Sequence, residues 1–232
     1  MEDNTRLKNA IDFLMWSYFN LTLDDGDNVD RILNTCIRKA YLDATQQGAY
    51  NTLIPKEKKA LRDCSSQVEI AAGRSLRRKI DSLRECKDKF NQWHGETCKE
   101  IKEQYTEINS TERGELFSYG NAQKWVNMAL KYVYTLYWLY KAFSSECEFC
   151  RKYGQMVSQY TKEFHVPIDS FMIEAYGKED IPAWSKWTDG DYASLRKEHS
   201  ETLDWEGPEW IKIAKGRKEK DFKGLEKRYG EK

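Results

Sequence analysis

Proline is scarce in this chain, with four in 232 residues, and thirteen glycines add little further turn chemistry. That scarcity excludes a many-turned β architecture. No long hydrophobic run is present either. The most apolar stretch, Trp125 to Phe143, contains Asn127, Lys131 and Lys141 and four tyrosines. Those groups make it a poor bilayer segment and a good buried helix, so no membrane association is expected. Neither sign of charge is in excess: 38 Lys and Arg balance 38 Asp and Glu. Net charge therefore offers no simple argument for nucleic acid. No secretory leader is expected, because Met1-Glu-Asp-Asn is acidic and the first apolar residues are interrupted by charge. Six cysteines without such a leader are expected as reduced thiols in the cytoplasm.

What is abundant is charge and aromatic surface. One-third of the residues are charged, the mean hydropathy is −0.84, and there are eight Trp, fourteen Tyr and nine Phe. The charge is unevenly spread. Residues 1–30 hold seven acids and two bases, residues 74–89 seven bases and three acids, and residues 212–232 nine bases and four acids. Two local basic zones can meet a phosphate backbone in a neutral molecule, although solvated helix faces look the same.

The apolar period is helical almost throughout. Leu7, Ile11, Leu14, Met15 and Tyr18 share one face; Val29, Ile32, Leu33, Cys36, Ile37 and Ala40 share another, with Gly48 as the stop. Ile54-Pro55 starts a third helix. The recurrence of Leu61, Val68, Leu76, Leu83 and Phe90 predicts that it runs on to Gly95, with a polar helix from Glu96 to Ile108. Residues 109–114 read as a loop. Asn121 is placed as the N-cap of a central helix reaching about Ala142. Shorter helices are expected near 150–160, 169–176, 192–199 and 208–215, and no strand is expected. The predicted fold is all-α, one domain over 1–232, with two helical lobes around a cleft.

Two stretches carry chemistry. Gly120-Asn121-Ala122-Gln123-Lys124 sets a lysine four residues after a turn glycine, at the mouth of the apolar helix. The backbone dipole at a helix start is already positive, so an ammonium there is pushed toward its nucleophilic neutral form. His165-Val-Pro-Ile-Asp169 then supplies a carboxylate where another helix begins. An amine and a carboxylate together suit attack at a carbon that becomes cationic, such as the anomeric carbon of a nucleoside. Taken singly, Lys124 is also a solvated lysine and Asp169 an ordinary N-cap.

The two stretches together resemble the helix–hairpin–helix DNA glycosylase superfamily, nearest its 8-oxoguanine glycosylase branch. That family has a Gly-x-Gly-x-Lys hairpin before an apolar helix, then Val-Pro-Val-Asp opening another. Gly120 and Lys124 stand at the first-glycine and lysine positions, and Val166-Pro167-Ile168-Asp169 matches the second element. The resemblance spans about residues 115–176. It implies Lys124 as nucleophile or its relic, Asp169 as the catalytic carboxylate, and 109–176 as the hairpin and catalytic segment of a glycosylase with a basic tail at 212–232. Two departures stand out. Ala122 replaces the second hairpin glycine, and 45 residues separate Lys124 from Asp169, longer than usual, so an insertion carrying Cys147 and Cys150 must loop out.

Further candidates surround these. Asn127 lies one turn beyond Lys124 and reads as a holder of hairpin or loop backbone, or as a side chain facing a polar neighbour. His165 lies four residues before Asp169. Trp184, Lys186 and Trp187 read as a platform for an extruded base and its phosphate, or as core packing between lobes. Trp205 and Trp210 read as core. Cys147-Glu-Phe-Cys150 has metal spacing, but a zinc site needs about four ligands and no second such pair exists; no metal or other cofactor is expected. The four-cysteine pattern of iron–sulfur glycosylases is absent. The reading is a monomeric, cytoplasmic DNA N-glycosylase, nucleoid-associated in a bacterium. It acts on double-stranded DNA holding an oxidised purine or a bulky modified pyrimidine of foreign DNA, with the lyase step left open and a role in repair or phage defence. The alternative is a non-catalytic helical DNA-binding or protein-interaction module.

Overall fold

In the computed structural model the chain is all-α. Among the described residues there is no strand, only an isolated bridge between His165 and Thr202. The structure describes residues 2–45, 55–85, 89–109, 115–144, 146–178 and 180–229, the side chains of 2–4, 55–66, 109 and 220–229 excepted. The expected stop at Gly48 and most of the 109–114 loop lie outside the described residues.

The helices are α1 (Glu2–Phe19), α2 (Val29–Thr45), α3 (Pro55–Leu83), α4 (Phe90–Glu103), α5 (Thr106–Asn109), α6 (Tyr119–Phe143), α7 (Glu148–Tyr160), α8 (Ser170–Ala175), α9 (Asp189–Glu198) and α10 (Leu203–Tyr229). Short 3-10 turns lie at Leu23–Asp27 and Trp184–Lys186. None of the described helices is long and apolar enough to cross a membrane.

Helix α6 is the axle. Apolar groups on most of its circumference bury it among α2, α4 and α7. The stripe Ile32, Leu33, Cys36, Ile37, Ala40 and Ala44 of α2 packs into that core. The Trp125 indole N–H donates to the Ile37 carbonyl at 2.9 Å, which fixes the α2–α6 register. The 45-residue gap is absorbed by α7. The chain climbs α6, turns at Cys147 and returns along α7, where Gly154 seats against Tyr137. Thirteen residues of α7 recover roughly 20 Å, and the segment 161–168 brings Asp169 back beside Lys124.

Three boundaries differ from expectation. The heptad-like recurrence does not continue past Leu83, where α3 ends in a turn closed by the Glu85 N–H donating to the Ser82 carbonyl at 3.0 Å. Phe90 then starts α4, buried against Trp93, Tyr160 and Phe164. Gly95 is inside α4 and stops nothing. The cap of α6 is Ser118, not Asn121; Asn121 is the third helical residue, and the two form a reciprocal capping box. The last helix begins at Leu203 and continues through Pro208 far beyond Lys215. The basic segment from Lys212 is thus the distal half of α10, and its Arg217 is turned onto α8, donating to the Ser170 carbonyl at 2.8 Å and capping the Phe171 ring at 4.1 Å.

Candidate active site

The earlier cap moves Lys124 to the sixth helical position, in the second turn of α6. The positive end of the helix dipole, confined to the first turn, therefore does not bear on its ammonium in the expected way. Lys124 meets its partner instead: its Nζ donates to Asp169 Oδ2 at 3.3 Å, with side-chain exposures of 10% and 16%. The Trp184 ring lies 4.5 Å beneath the ammonium, a cation–π seat. Asp169 is the N-cap of α8 as well. Its Oδ1 accepts the N–H groups of Phe171 at 2.9 Å and Met172 at 3.1 Å, leaving Oδ2 for Lys124. Capping and pairing use different oxygens of one carboxylate.

Side-chain amides set this meeting. Gln123 donates to the Ile168 carbonyl at 3.2 Å, and Asn127 donates to the Val166 carbonyl at 3.2 Å and to Gln123 Oε1 at 3.0 Å. The backbone just before Asp169 is thereby stitched to the α6 face that carries Lys124. Asn127 thus holds backbone and faces polar side chains as well.

The rest of the glycine stretch faces inward. Gly120, Asn121, Ala122 and Gln123 are all buried. The N–H of Gly120 donates to the Trp187 carbonyl, that of Asn121 to Ser118 Oγ, and that of Ala122 to the Ser118 carbonyl. A Cβ at position 120 would sit 1.7 Å from the Trp184 carbonyl oxygen. Glycine is required here for close approach of the 184–187 turn, and these N–H groups are not presented to a phosphate. Trp187 is a core residue whose indole N–H donates to the Pro182 carbonyl, whereas Lys186 is exposed.

Beside the Lys124–Asp169 pair is a cavity of about 450 Å³. Its apolar lining comes from Met128, Pro167, Phe171 and Trp210. Trp210, expected in the core, stacks on Phe171 at 4.9 Å at the cavity edge. One wall carries a second ion pair, Lys131 Nζ to Glu206 Oε1 at 2.6 Å. Burial of Glu206 raises its carboxyl above the usual range, Lys131 opposes the shift, and Asp169 adds to it. The other wall is a phenol chain: Tyr18 Oη and Tyr132 Oη are 2.7 Å apart, and Tyr132 donates to Asp43. Burial first, then the Asp43 hydrogen bond, keep the Tyr132 phenol protonated. Sequence reading missed this set. Lys131 was accessible to it, because seven residues are two helical turns and place Lys131 on the face of Lys124. Glu206 and Asp43 had no local signal.

His165 does not join this cavity. It lines a separate one of about 440 Å³ with His94 and Arg196. Its Nδ1 is 2.8 Å from Tyr192 Oη and its Nε2 is 2.7 Å from Asn91 Oδ1, while His94 Nε2 is 2.7 Å from Asn127 Oδ1. The amide oxygens accept, so both rings carry Nε2–H; Tyr192 donates to His165 and accepts from Asn127. Burial lowers the His94 pKa to about 4 and holds His165 well below its ordinary value, with His94 second. Cys147 and Cys150 are buried free thiols, burial raising Cys150 to about 12. Among the described residues no group of three or more His, Cys, Asp or Glu side chains is placed to hold a metal ion. No protein-family model, curated protein or solved structure matches this chain.

Proposed function

We propose that this chain is a DNA N-glycosylase, divergent within the helix–hairpin–helix superfamily, that releases a damaged or modified base. One observation carries the reading: Lys124 and Asp169, 45 residues apart, pair at 3.3 Å on the wall of a cavity of nucleotide dimensions. In this reading the cavity is the substrate cleft, lined by residues of α1, α2, α6, α8 and α10. The catalytic pair of the segment 109–176 is kept in this reading, although Gly120 to Lys124 lie inside α6 and are not a phosphate-binding hairpin. The oxidised purine and the bulky modified pyrimidine both remain substrate classes for a cavity of this size.

The chemistry follows from the pair. Breaking the C1′–N bond sends its electron pair to the base and leaves positive charge on the sugar. The Asp169 carboxylate stabilises that charge. Lys124 attacks only after losing a proton, and Asp169 Oδ2 is the nearest acceptor. Attack by the neutral amine forms a bond to C1′; the added nitrogen then passes a proton to O4′ as the C1′–O4′ bond breaks, opening the sugar to a protonated Schiff base that can proceed to strand cleavage, whereas attack by water releases the base alone. The extruded base lies over Met128, Phe171 and Trp210.

The test is direct. Duplexes carrying 8-oxoguanine or 5-substituted cytosines are incubated with protein and treated with alkali, with borohydride in a parallel arm. Cleavage by the wild type that is lost in Asp169→Asn supports the reading. Binding without any abasic product supports the non-catalytic module instead.

A further inference from the structure

The second ion pair of the cavity has no task in the chemistry above. Lys131 lies two turns after Lys124 on the same face of α6, about 10.5 Å further along the axis. Its side chain is 26% exposed and lines the cavity, and its carboxylate partner Glu206 is 2% exposed. Such a buried pair is a poor device for stability alone, because desolvation offsets most of the Coulomb gain. It is a good device for holding an ammonium in one place. An ammonium has three N–H donors and no acceptor. One is engaged by Glu206 Oε1, which leaves others for a ligand in the cavity.

Resting on the glycosylase reading, we infer that Lys131 is the leaving-group residue, donating to the departing base while Lys124 and Asp169 act on the sugar, and that Glu206 is its positioning residue. The spacing fits a nucleoside lying along α6, with the anomeric carbon at Lys124 and the far edge of the base at Lys131. As the C1′–N bond breaks, its electrons pass into the base ring. An N–H of Lys131 stabilises that negative charge at a ring nitrogen or carbonyl oxygen and transfers its proton as the base leaves. Solvent then reprotonates the lysine. The required substrate is a base with a hydrogen-bond acceptor on the edge away from the sugar. Glu206 keeps the ammonium aimed: without the carboxylate the long side chain turns to water.

The experiment separates departure of the base from attack on the sugar. Single-turnover release is measured from duplexes carrying 8-oxoguanine, 5-hydroxymethylcytosine or 5-hydroxymethyluracil. Borohydride trapping is measured on a duplex that already holds an abasic site, where no base has to leave. Lys131→Met is expected to slow release about 100-fold, the loss typical of one removed charge-stabilising donor, while trapping changes less than about threefold. Lys131→Arg keeps a donor and recovers part of the rate. The double variant Lys131→Met/Glu206→Gln removes both charges, avoids a lone buried carboxylate and shows the same split. Release unaffected by Lys131→Met, or release and trapping falling together in the double variant, overturns the inference and leaves the Lys124–Asp169 reading intact. A wild type that neither releases a base nor traps on the abasic duplex overturns both.

Discussion

Acidification acts directly on the segment that carries Asp169. Asn127 holds Val166 through the same amide that serves His94 and Tyr192, and Tyr192 serves His165. The two rings lie 4.4 Å apart and both are neutral. A proton on His165 Nδ1 faces the Tyr192 hydroxyl donor, and a proton on His94 charges a ring with no exposed edge. The unfolded chain binds these protons near the ordinary histidine value, about 6.5, and the folded chain binds the His94 proton only near pH 4. Both folded values are depressed, so the unfolded state holds more protons between these limits and stability falls as pH falls. For His94 alone the loss between about pH 7 and pH 5 is on the order of 2 kcal/mol, and His165 adds in the same direction. That window lies above the ordinary carboxylate range, so the lowered acids Asp12 and Glu100 contribute little to it, while the carboxyls of Glu206 and Glu69, raised by burial, act in the opposite direction and offset part of the loss. Urea unfolding at half-unit pH steps measures the slope. Stability that is level between pH 7 and pH 5, or a slope unchanged in His94→Gln/His165→Gln, refutes the argument.

Other substitutions probe single contacts. Gly120→Ala forces a Cβ against the Trp184 carbonyl and is expected to cost about 1–3 kcal/mol in chemical denaturation; a change under about 0.5 kcal/mol contradicts the packing. Asp169→Asn keeps a good N-cap but leaves the Lys124 ammonium without its carboxylate, so both Asp169→Asn and Asp169→Ala are expected to lower stability, Asp169→Ala by about 1 kcal/mol more; equal losses in the two show that the cap is not what the side chain provides. Lys131→Met leaves Glu206 buried without its cation and is expected to lower stability by about 3–5 kcal/mol, most of it regained on adding Glu206→Gln. A purely additive double variant contradicts the pairing.

The helical architecture was legible because the apolar period is strong in α2 and α6 and because so few residues break helices. Junctions were less so. Nothing local distinguishes Ser118 from Asn121 as the cap of α6, since both are good caps and their box is reciprocal. The recurrence through Phe90 misled because Phe90 is apolar for a different neighbour, the end of α7. The meeting of Lys124 with Asp169 was readable as a pair of local contexts. The Gln123 and Asn127 amides that enforce it are visible only once Val166 and Ile168 lie alongside. Glu206 and Asp43 come from distant helices and look, in sequence, like any solvated acid. Trp210 packs against the core as its sequence reading has it, and its place in the cavity lining shows only once Phe171 is seen stacked on it.

The central claim is that the Lys124 amine reaches the anomeric carbon of a nucleotide in this cavity. Mass mapping of the borohydride-reduced complex with an abasic-site duplex tests it most directly. The account predicts one adduct, on the peptide carrying Lys124, absent in Lys124→Met. An adduct on another lysine, or none at all, contradicts it.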